Sequence, residues 1–187
     1  MSGHSKWANI KRKKQANDLV KGNVFAKMLS HLKETIYEGF GPYGVFLLIL
    51  STTDNSNRTS SEIRNMLEKN SGKLGTPGSV SYLFKKCAFV SFMKTEVNEE
   101  AVFKIGEELQ AFDINEDNSH FFVFFPFSNF GLLKTHLSNI KYDLAEIDYL
   151  PTMPVALDSP EKEKKVLDIV EALESLDDIQ RVYTNLG

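Results

Sequence analysis

The chain has 187 residues, 42% of them hydrophobic and 25% charged, which is enough to form a sizeable hydrophobic core. Its single cysteine, Cys87, excludes an internal disulfide, and no spacing of cysteine and histidine matches a zinc site. The longest apolar runs, 45–50 and 121–127, are far shorter than the roughly 20 residues that span a bilayer. These features predict a cytoplasmic globular protein without a membrane or targeting segment.

The net charge of -3 is unevenly distributed along the chain. Residues 1–33 contain eight basic residues and one acidic residue, or +7, which leaves -10 for residues 34–187. A basic segment on an acidic body is typical of proteins that bind a polyanion, because phosphate groups attract such a segment without base readout. A solvated basic helix without a ligand is the alternative, and composition leaves both open.

Helical spacing and strand alternation divide the chain into short elements. The first half predicts a helix, two strands around a glycine turn, a helix and two strands, at residues 10–33, 35–40, 45–52, 59–70, 80–84 and 88–93. The second half predicts alternating helices and strands, at residues 99–112, 120–127, 129–140, 144–149, 160–176 and 179–184. The start of the second helix depends on Thr59-Ser60-Ser61-Glu62, a capping-box pattern.

This order predicts an α+β fold with a short N-terminal helical arm and two small, ferredoxin-like α+β subdomains, one inserted in the other. The predicted boundaries are a basic helical segment at 1–34, a discontinuous domain at 35–91 and 152–187, and an inserted domain at 92–151.

Two glycine-rich segments could in principle bind phosphate. Gly39-Phe40-Gly41-Pro42-Tyr43-Gly44 matches the dinucleotide fingerprint, but that fingerprint needs a helix immediately after it and a strand pattern follows, so a plain turn is predicted. The loop of Gly72, Gly75 and Gly78 contains Lys73 and Ser79, whose contact with phosphate is a weaker hypothesis than a structural loop.

No catalytic group is recognisable in the sequence. The four histidines, His4, His31, His120 and His136, are scattered, and Cys87 lies in a predicted strand without a partner. The acidic clusters, in a predicted polar loop at 113–117 and at the end of a predicted helix at 177–178, are interpreted as solvated surface. The chain is therefore predicted not to be an enzyme.

The opening segment 3–14 combines cations, hydrogen-bonding groups and one aromatic plane, Trp7. An aromatic ring can stack on an unpaired base while lysines hold phosphates, although packing of Trp7 against the helix is equally open. The predicted nucleic-acid contacts are His4, Lys6, Trp7, Asn9, Lys11, Arg12, Lys13, Lys14 and Lys21, with Lys73 and Ser79 as a second patch.

These residues also carry a family resemblance. Residues 3–11, Gly-His-Ser-Lys-Trp-Ala-Asn-Ile-Lys, are similar to the opening signature of the YebC-type family, often labelled probable transcriptional regulatory proteins, whose mitochondrial branch includes a translational activator of cytochrome oxidase. Further similar blocks occur in family order, at 37–39, 41–42, 53–55, 57–59, 75–76, 78–84 and 182–185.

The resemblance implies a helical first domain, a second α+β domain completed by the C-terminus and a third inserted into it. It also implies a cytoplasmic location, no cofactor, no metal and no catalytic residues. Members are described as DNA-binding regulators or as ribosome-associated translation factors, so DNA and ribosomal RNA both stay open as partners. One departure is a shortening after Glu34, where family members carry several dozen more residues, so the first domain is incomplete.

The sequence therefore predicts a regulator of gene expression that binds DNA or ribosomal RNA, with the ribosome as a further partner and no membrane. The oligomeric state is left open. The alternative is a non-enzymatic interaction module whose acidic body binds a protein partner.

Overall fold

The computed structural model describes residues 33–187. The predicted helix at 10–33 lies outside the described residues except for Lys33, which already belongs to the first strand. In chain order, the strands and helices are β1 (Lys33–Phe40), β2 (Phe46–Thr53), α1 (Ser56–Lys69), β3 (Lys73–Leu74), β4 (Phe84–Met93), α2 (Glu99–Glu108), β5 (Asp113–Glu116), β6 (His120–Pro126), α3 (Phe130–His136), β7 (Leu144–Pro151), α4 (Pro160–Glu174) and β8 (Ile179–Thr184).

The chain forms two compact units. The main unit contains the described residues 33–84 and 151–187, and the inserted unit contains residues 85–150. The sequence had placed the first boundary between residues 91 and 92, which is within β4. That strand runs without interruption from Phe84 to Met93, so the change of unit falls at its beginning.

The main unit is built on an antiparallel sheet with the strand order β3-β1-β2-β8. The hairpin of β1 and β2 occupies the centre, and its turn contains Gly44 at φ +75°, a conformation that glycine adopts without steric cost. The G-x-G-x-x-G segment is thus a turn followed by a strand, as predicted, and lacks the helix of a dinucleotide site. The apolar faces of α1 and α4 share one hydrophobic core with the sheet. Ile63 and Leu67 from α1 and Val166 and Ile169 from α4 belong to this core.

The inserted unit has the element order β4-α2-β5-β6-α3-β7 and the strand order β5-β6-β4-β7. This is the ferredoxin-like βαββαβ arrangement. Apolar residues on alternate positions of the central strands, such as Val90 and Val123, share a core with Val102 and Ile105 of α2. The other alternate positions contribute a second buried cluster that contains three phenylalanines, Phe89, Phe122 and Phe124.

The α+β class is confirmed, and the ferredoxin-like connectivity is found in the inserted unit. The main unit has a different connectivity, because its β1–β2 hairpin fills both central positions of the sheet. No helix within residues 33–187 is long and apolar enough to cross a membrane.

Three local predictions were wrong. Residues 80–84, predicted as a strand, form a loop and a short 3-10 turn at Ser81–Leu83. The polar segment at 113–116, predicted as a loop, is the edge strand β5. The capping box at 59–62 does not start α1, which begins at Ser56 after the N-cap Asn55, whose side chain accepts a hydrogen bond from the Arg58 amide.

Candidate nucleic-acid interface

The predicted contacts divide into two groups. Those of the N-terminal segment lie outside the described residues: His4, Lys6, Trp7, Asn9, Lys11, Arg12, Lys13, Lys14 and Lys21. The second patch is described, and Lys73 and Ser79 both belong to the loop between α1 and β4. This loop, residues 70–83, is called the glycine loop below.

The first part of the glycine loop is fixed against the edge of the main sheet. Lys73 pairs with Phe40 and Leu74 with Gly39, which forms the short strand β3. The amide of Gly75 then donates to the carbonyl of Glu38 at 2.7 Å. Lys73 remains exposed, and its contact with phosphate stays a prediction.

The second part of the glycine loop is held by Glu38, which is only 6% exposed. Its carboxylate accepts three hydrogen bonds of 2.5–2.7 Å from backbone amides of the loop, those of Gly78, Val80 and Ser81. Burial raises the pKa of Glu38, but the three backbone hydrogen bonds outweigh burial and hold the pKa below its usual value of 4.5. The ionised carboxylate thus occupies amides that a bound phosphate could otherwise have contacted.

Ser79 is not placed to contact phosphate, contrary to the prediction. Its Oγ is buried, has no hydrogen-bond partner among the described residues, and faces Gly75. A Cβ added at Gly75 would lie 2.4 Å from this Oγ and 3.0 Å from the Phe40 ring, so a larger residue there would force these side chains to shift. Of the second patch, Lys73 alone remains as a candidate contact.

The sequence prediction missed Tyr82, which is 72% exposed in the short 3-10 turn after the residues held by Glu38. The sequence predicted a strand at 80–84, and the turn takes its place around Tyr82. The glycine loop thus presents an aromatic ring and a lysine to solvent on a backbone fixed by Glu38. An exposed aromatic ring can stack on an unpaired base, and an exposed lysine can hold a phosphate.

A second polar network involves Asp178, which had been interpreted as solvated surface. Its side chain is only 13% exposed, and its Oδ2 accepts from Thr59 Oγ1 at 2.6 Å and from Thr53 Oγ1 at 3.0 Å. Arg58 Nη2 lies 2.9 Å from the same carboxylate and 2.9 Å from Asp54. Burial raises the pKa of Asp178, but the hydrogen bonds from Thr59, Arg58 and Thr53 outweigh burial and hold the pKa below its usual value. The charge of the Arg58 guanidinium is therefore balanced by two carboxylates, and Arg58 is not counted among the candidate phosphate contacts.

Cys87 and His120, two of the side chains considered for catalysis in the sequence, make contacts within the inserted unit. The Sγ of buried Cys87 lies 3.5 Å from the carbonyl of Asp148 and donates to it. Ser119 Oγ lies 2.9 Å from His120 Nδ1, but the same hydroxyl donates to Asp117, which also accepts from the His120 amide and closes the turn before β6. Within residues 33–187 no group of three His, Cys, Asp or Glu side chains is placed to hold a metal ion.

Several blocks that carry the family resemblance contact one another in the main unit. The 37–39 block supplies Glu38 to the 78–84 block, and the 53–55 and 57–59 blocks meet at Asp178. In the 182–185 block, Asn185 Oδ1 accepts from the Phe46 amide at 2.7 Å. A sequence model described as the second and third domain of TACO1/YebC proteins matches residues 32–186. The chain belongs to the TACO1/YebC family.

Relatives with the same family features align along the whole chain. A probable transcriptional regulatory protein of Borrelia duttonii is 33% identical over 237 residues, covering 100% of this chain and 97% of that protein. Another from Thermus thermophilus is 33% identical over 240 residues, covering 100% and 96%. The crystal structure of a conserved hypothetical protein from Aquifex aeolicus matches with a TM-score of 0.76 at 34% identity, covering 87% of this chain and 68% of that chain.

The alignment lengths confirm that this family member is shorter than its relatives. The Borrelia alignment has 237 positions and this chain has 187 residues, so about 50 positions have no counterpart here. The match to the second and third domains begins at residue 32. The location of the shortening directly after Glu34 stays a prediction.

Proposed function

We propose that this chain is a nucleic-acid-binding regulator of gene expression and not an enzyme. The observation that carries the proposal is the charge separation of +7 in residues 1–33 against -10 in the remainder, in a family whose members are named probable transcriptional regulatory proteins. Phosphate groups attract the basic segment and repel the acidic body, so the nucleic acid is held at one end of the chain.

The mechanism is positional. Lysines and Arg12 of the basic segment hold phosphates, Trp7 stacks on an unpaired base, and the glycine loop adds Lys73 and Tyr82. No bond is made or broken, and the acidic units are brought to the polymerase or ribosome that works on the bound nucleic acid. In this proposal the chain acts in the cytoplasm and without a cofactor.

The proposal is tested by measuring gel shifts of the full chain on RNA and DNA at moderate salt. Replacing Lys11, Arg12, Lys13 and Lys14 by Ala is expected to weaken binding at least roughly tenfold, because four phosphate contacts are lost. The control is Lys164→Ala with Lys165→Ala, which removes two adjacent exposed cations from α4 and leaves binding unchanged. Unchanged affinity of the fourfold variant would exclude the basic segment as the binding site.

A second experiment separates this proposal from a protein-interaction module and assigns the target. Cell extract is sedimented before and after RNase treatment. Comigration with ribosomes that RNase abolishes identifies ribosomal RNA, and gel shifts on DNA without such comigration identify DNA. A partner that is still recovered after nuclease treatment, in the absence of any gel shift, would favour the interaction module.

A further inference from the structure

The inserted unit carries a second basic surface, which the proposed function does not use. At the start of β4, Lys85 and Lys86 are both exposed. The Nζ of Lys85 lies 3.6 Å from the ring centroid of Phe112, and the Nζ of Lys86 lies 4.1 Å from that of Phe127. These four residues are called the lysine–phenylalanine surface.

The topology of the inserted unit places both pairs at one end of its sheet. Phe112 comes directly before β5 and Phe127 directly after β6, and both strands run antiparallel to their neighbours. The two rings therefore lie at the end of the sheet where β4 begins. Consecutive strand residues point to opposite faces, so Lys85 and Lys86 extend on either side of that end. An extended ligand that crosses the end of the sheet meets both pairs.

The lysine charges of this surface are not neutralised by carboxylates. Within the described part of the chain, the interactions of Lys85 and Lys86 are those with aromatic rings. Two other lysines of the inserted unit do have carboxylate partners, since Lys94 pairs with Glu116 and Lys141 with Glu96, each at 2.7 Å. The rings also remain accessible, with Phe112 38% and Phe127 41% exposed although an ammonium lies over each.

We propose that the lysine–phenylalanine surface binds single-stranded nucleic acid. Each ammonium moves onto a phosphate, and each released ring stacks on an unpaired base, which is the combination of cation and aromatic plane that single strands require. The alternative is that the lysine side chains only cover the rings, which would also explain the short distances. However, more than a third of each phenylalanine stays exposed under its lysine. The inference rests on the proposed function, because it gives the same nucleic acid a second contact.

The test uses the full chain and an unstructured RNA of about 20 nucleotides, long enough for several contacts. Lys85→Ala with Lys86→Ala is expected to flatten the slope of log K against log salt by about 1.4, or 0.7 for each lost phosphate. Lys164→Ala with Lys165→Ala is the matched pair of adjacent lysines and leaves the slope unchanged. Lys85→Arg with Lys86→Arg keeps both charges and retains the slope.

The rings are tested separately from the charges. Phe112→Leu with Phe127→Leu keeps apolar volume but removes the flat rings, and is expected to weaken single-strand binding at least roughly fivefold without changing the salt slope. Binding of the duplex made from the same RNA and its complement is unaffected, because paired bases cannot stack on the rings. If an alanine variant unfolds in a thermal melt, Lys85→Gln with Lys86→Gln replaces it and keeps most of each aliphatic stem.

The outcomes distinguish this inference from the proposed function. Unchanged affinity and slope in both double variants, with binding still lost on replacing residues 11–14, would overturn the inference alone. Failure of the unmodified chain to bind RNA or DNA would overturn the proposed function as well. An oligoglutamate peptide could displace the bound RNA as effectively as unlabelled RNA does, while Phe112→Leu with Phe127→Leu leaves RNA affinity unchanged. That result would show a non-specific cation patch and would also overturn the inference.

Discussion

Among single side chains, Glu38 determines the conformation of the glycine loop. A carboxylate with little solvent exposure is stable only when hydrogen bonds replace its hydration, and the three amides of the loop do so. The loop between Gly75 and Ser81 is therefore fixed in place although it forms no regular secondary structure. In the proposed function, Lys73 and Tyr82 flank this fixed segment, so binding does not have to order the backbone between them.

Glu38→Gln tests this role. The amide side chain presents an NH2 group to at least one donor amide, so the free energy of unfolding is expected to fall by about 2 kcal/mol at neutral pH. Because the pKa of Glu38 is lower in the folded chain than its usual 4.5, ionised Glu38 stabilises the fold fully above that value and progressively less as the pH falls through the folded value. The difference in free energy of unfolding between wild type and Glu38→Gln should therefore be smaller at about pH 3 than at neutral pH. Urea unfolding at both pH values measures it.

The exposed Glu34, in the same strand, provides the control for this experiment. Glu34→Gln should change stability by less than about 0.5 kcal/mol. A Glu38→Gln variant as stable as the Glu34→Gln variant at neutral pH would show that the carboxylate does not hold the loop.

Ser79→Ala tests whether the Ser79 hydroxyl contacts phosphate. The change removes a buried Oγ without a partner among the described residues, so stability should stay the same or rise by about 1 kcal/mol. Nucleic-acid affinity, measured by gel shift, should not change. Lys73→Ala is the comparison, and it should weaken binding because that ammonium is exposed. Weaker binding by Ser79→Ala at unchanged stability would restore the original prediction for Ser79.

At the level of elements, Asp178 connects three parts of the main unit. Its carboxylate binds Thr53 at the end of β2 and Thr59 in the first turns of α1, and its carbonyl accepts from the Thr52 amide at 2.9 Å. Asp178 itself lies immediately before β8. The contact therefore fixes the C-terminal strand to the hairpin and to the beginning of α1.

Asp178→Ala should lower the free energy of unfolding of the main unit by about 2 kcal/mol, because the buried Thr53 and Thr59 hydroxyls each lose a charged acceptor and Arg58 loses an ion-pair partner. The neighbouring Asp177 is exposed, and Asp177→Ala should be close to neutral. Thermal unfolding of the two single variants makes the comparison. Equal melting temperatures of both variants would contradict the structural role of Asp178.

The same elements show what the sequence could and could not predict. Strands such as β2 and β6 were predicted within a residue or two because each contains a continuous apolar run that ends near turn residues. The start of α1 was misplaced because Thr59 resembles a cap locally, whereas its hydroxyl binds Asp178, 119 positions away. Glu38 was missed for the same reason, since its partners lie 40 to 43 positions away.

At the level of the whole molecule, the proposed function rests on the separation of charge between the basic residues 1–33 and the acidic residues 34–187. The described units explain how several family blocks hold the main unit together and how Tyr82, Lys73 and the lysine–phenylalanine surface face solvent. In the proposed function, the basic residues in 1–33 supply the long-range attraction that brings a nucleic acid to these surfaces. Binding should therefore weaken steeply as salt concentration rises.

The most direct test is the salt dependence of RNA binding by the full chain. A plot of log K against log salt should be linear with a slope of about -3 or steeper, because four or more phosphates are neutralised at roughly 0.7 each. Replacing Lys11, Arg12, Lys13 and Lys14 by Ala should flatten the slope by about 2.8. A slope near zero for the unmodified chain, or the same slope in both proteins, would contradict the account.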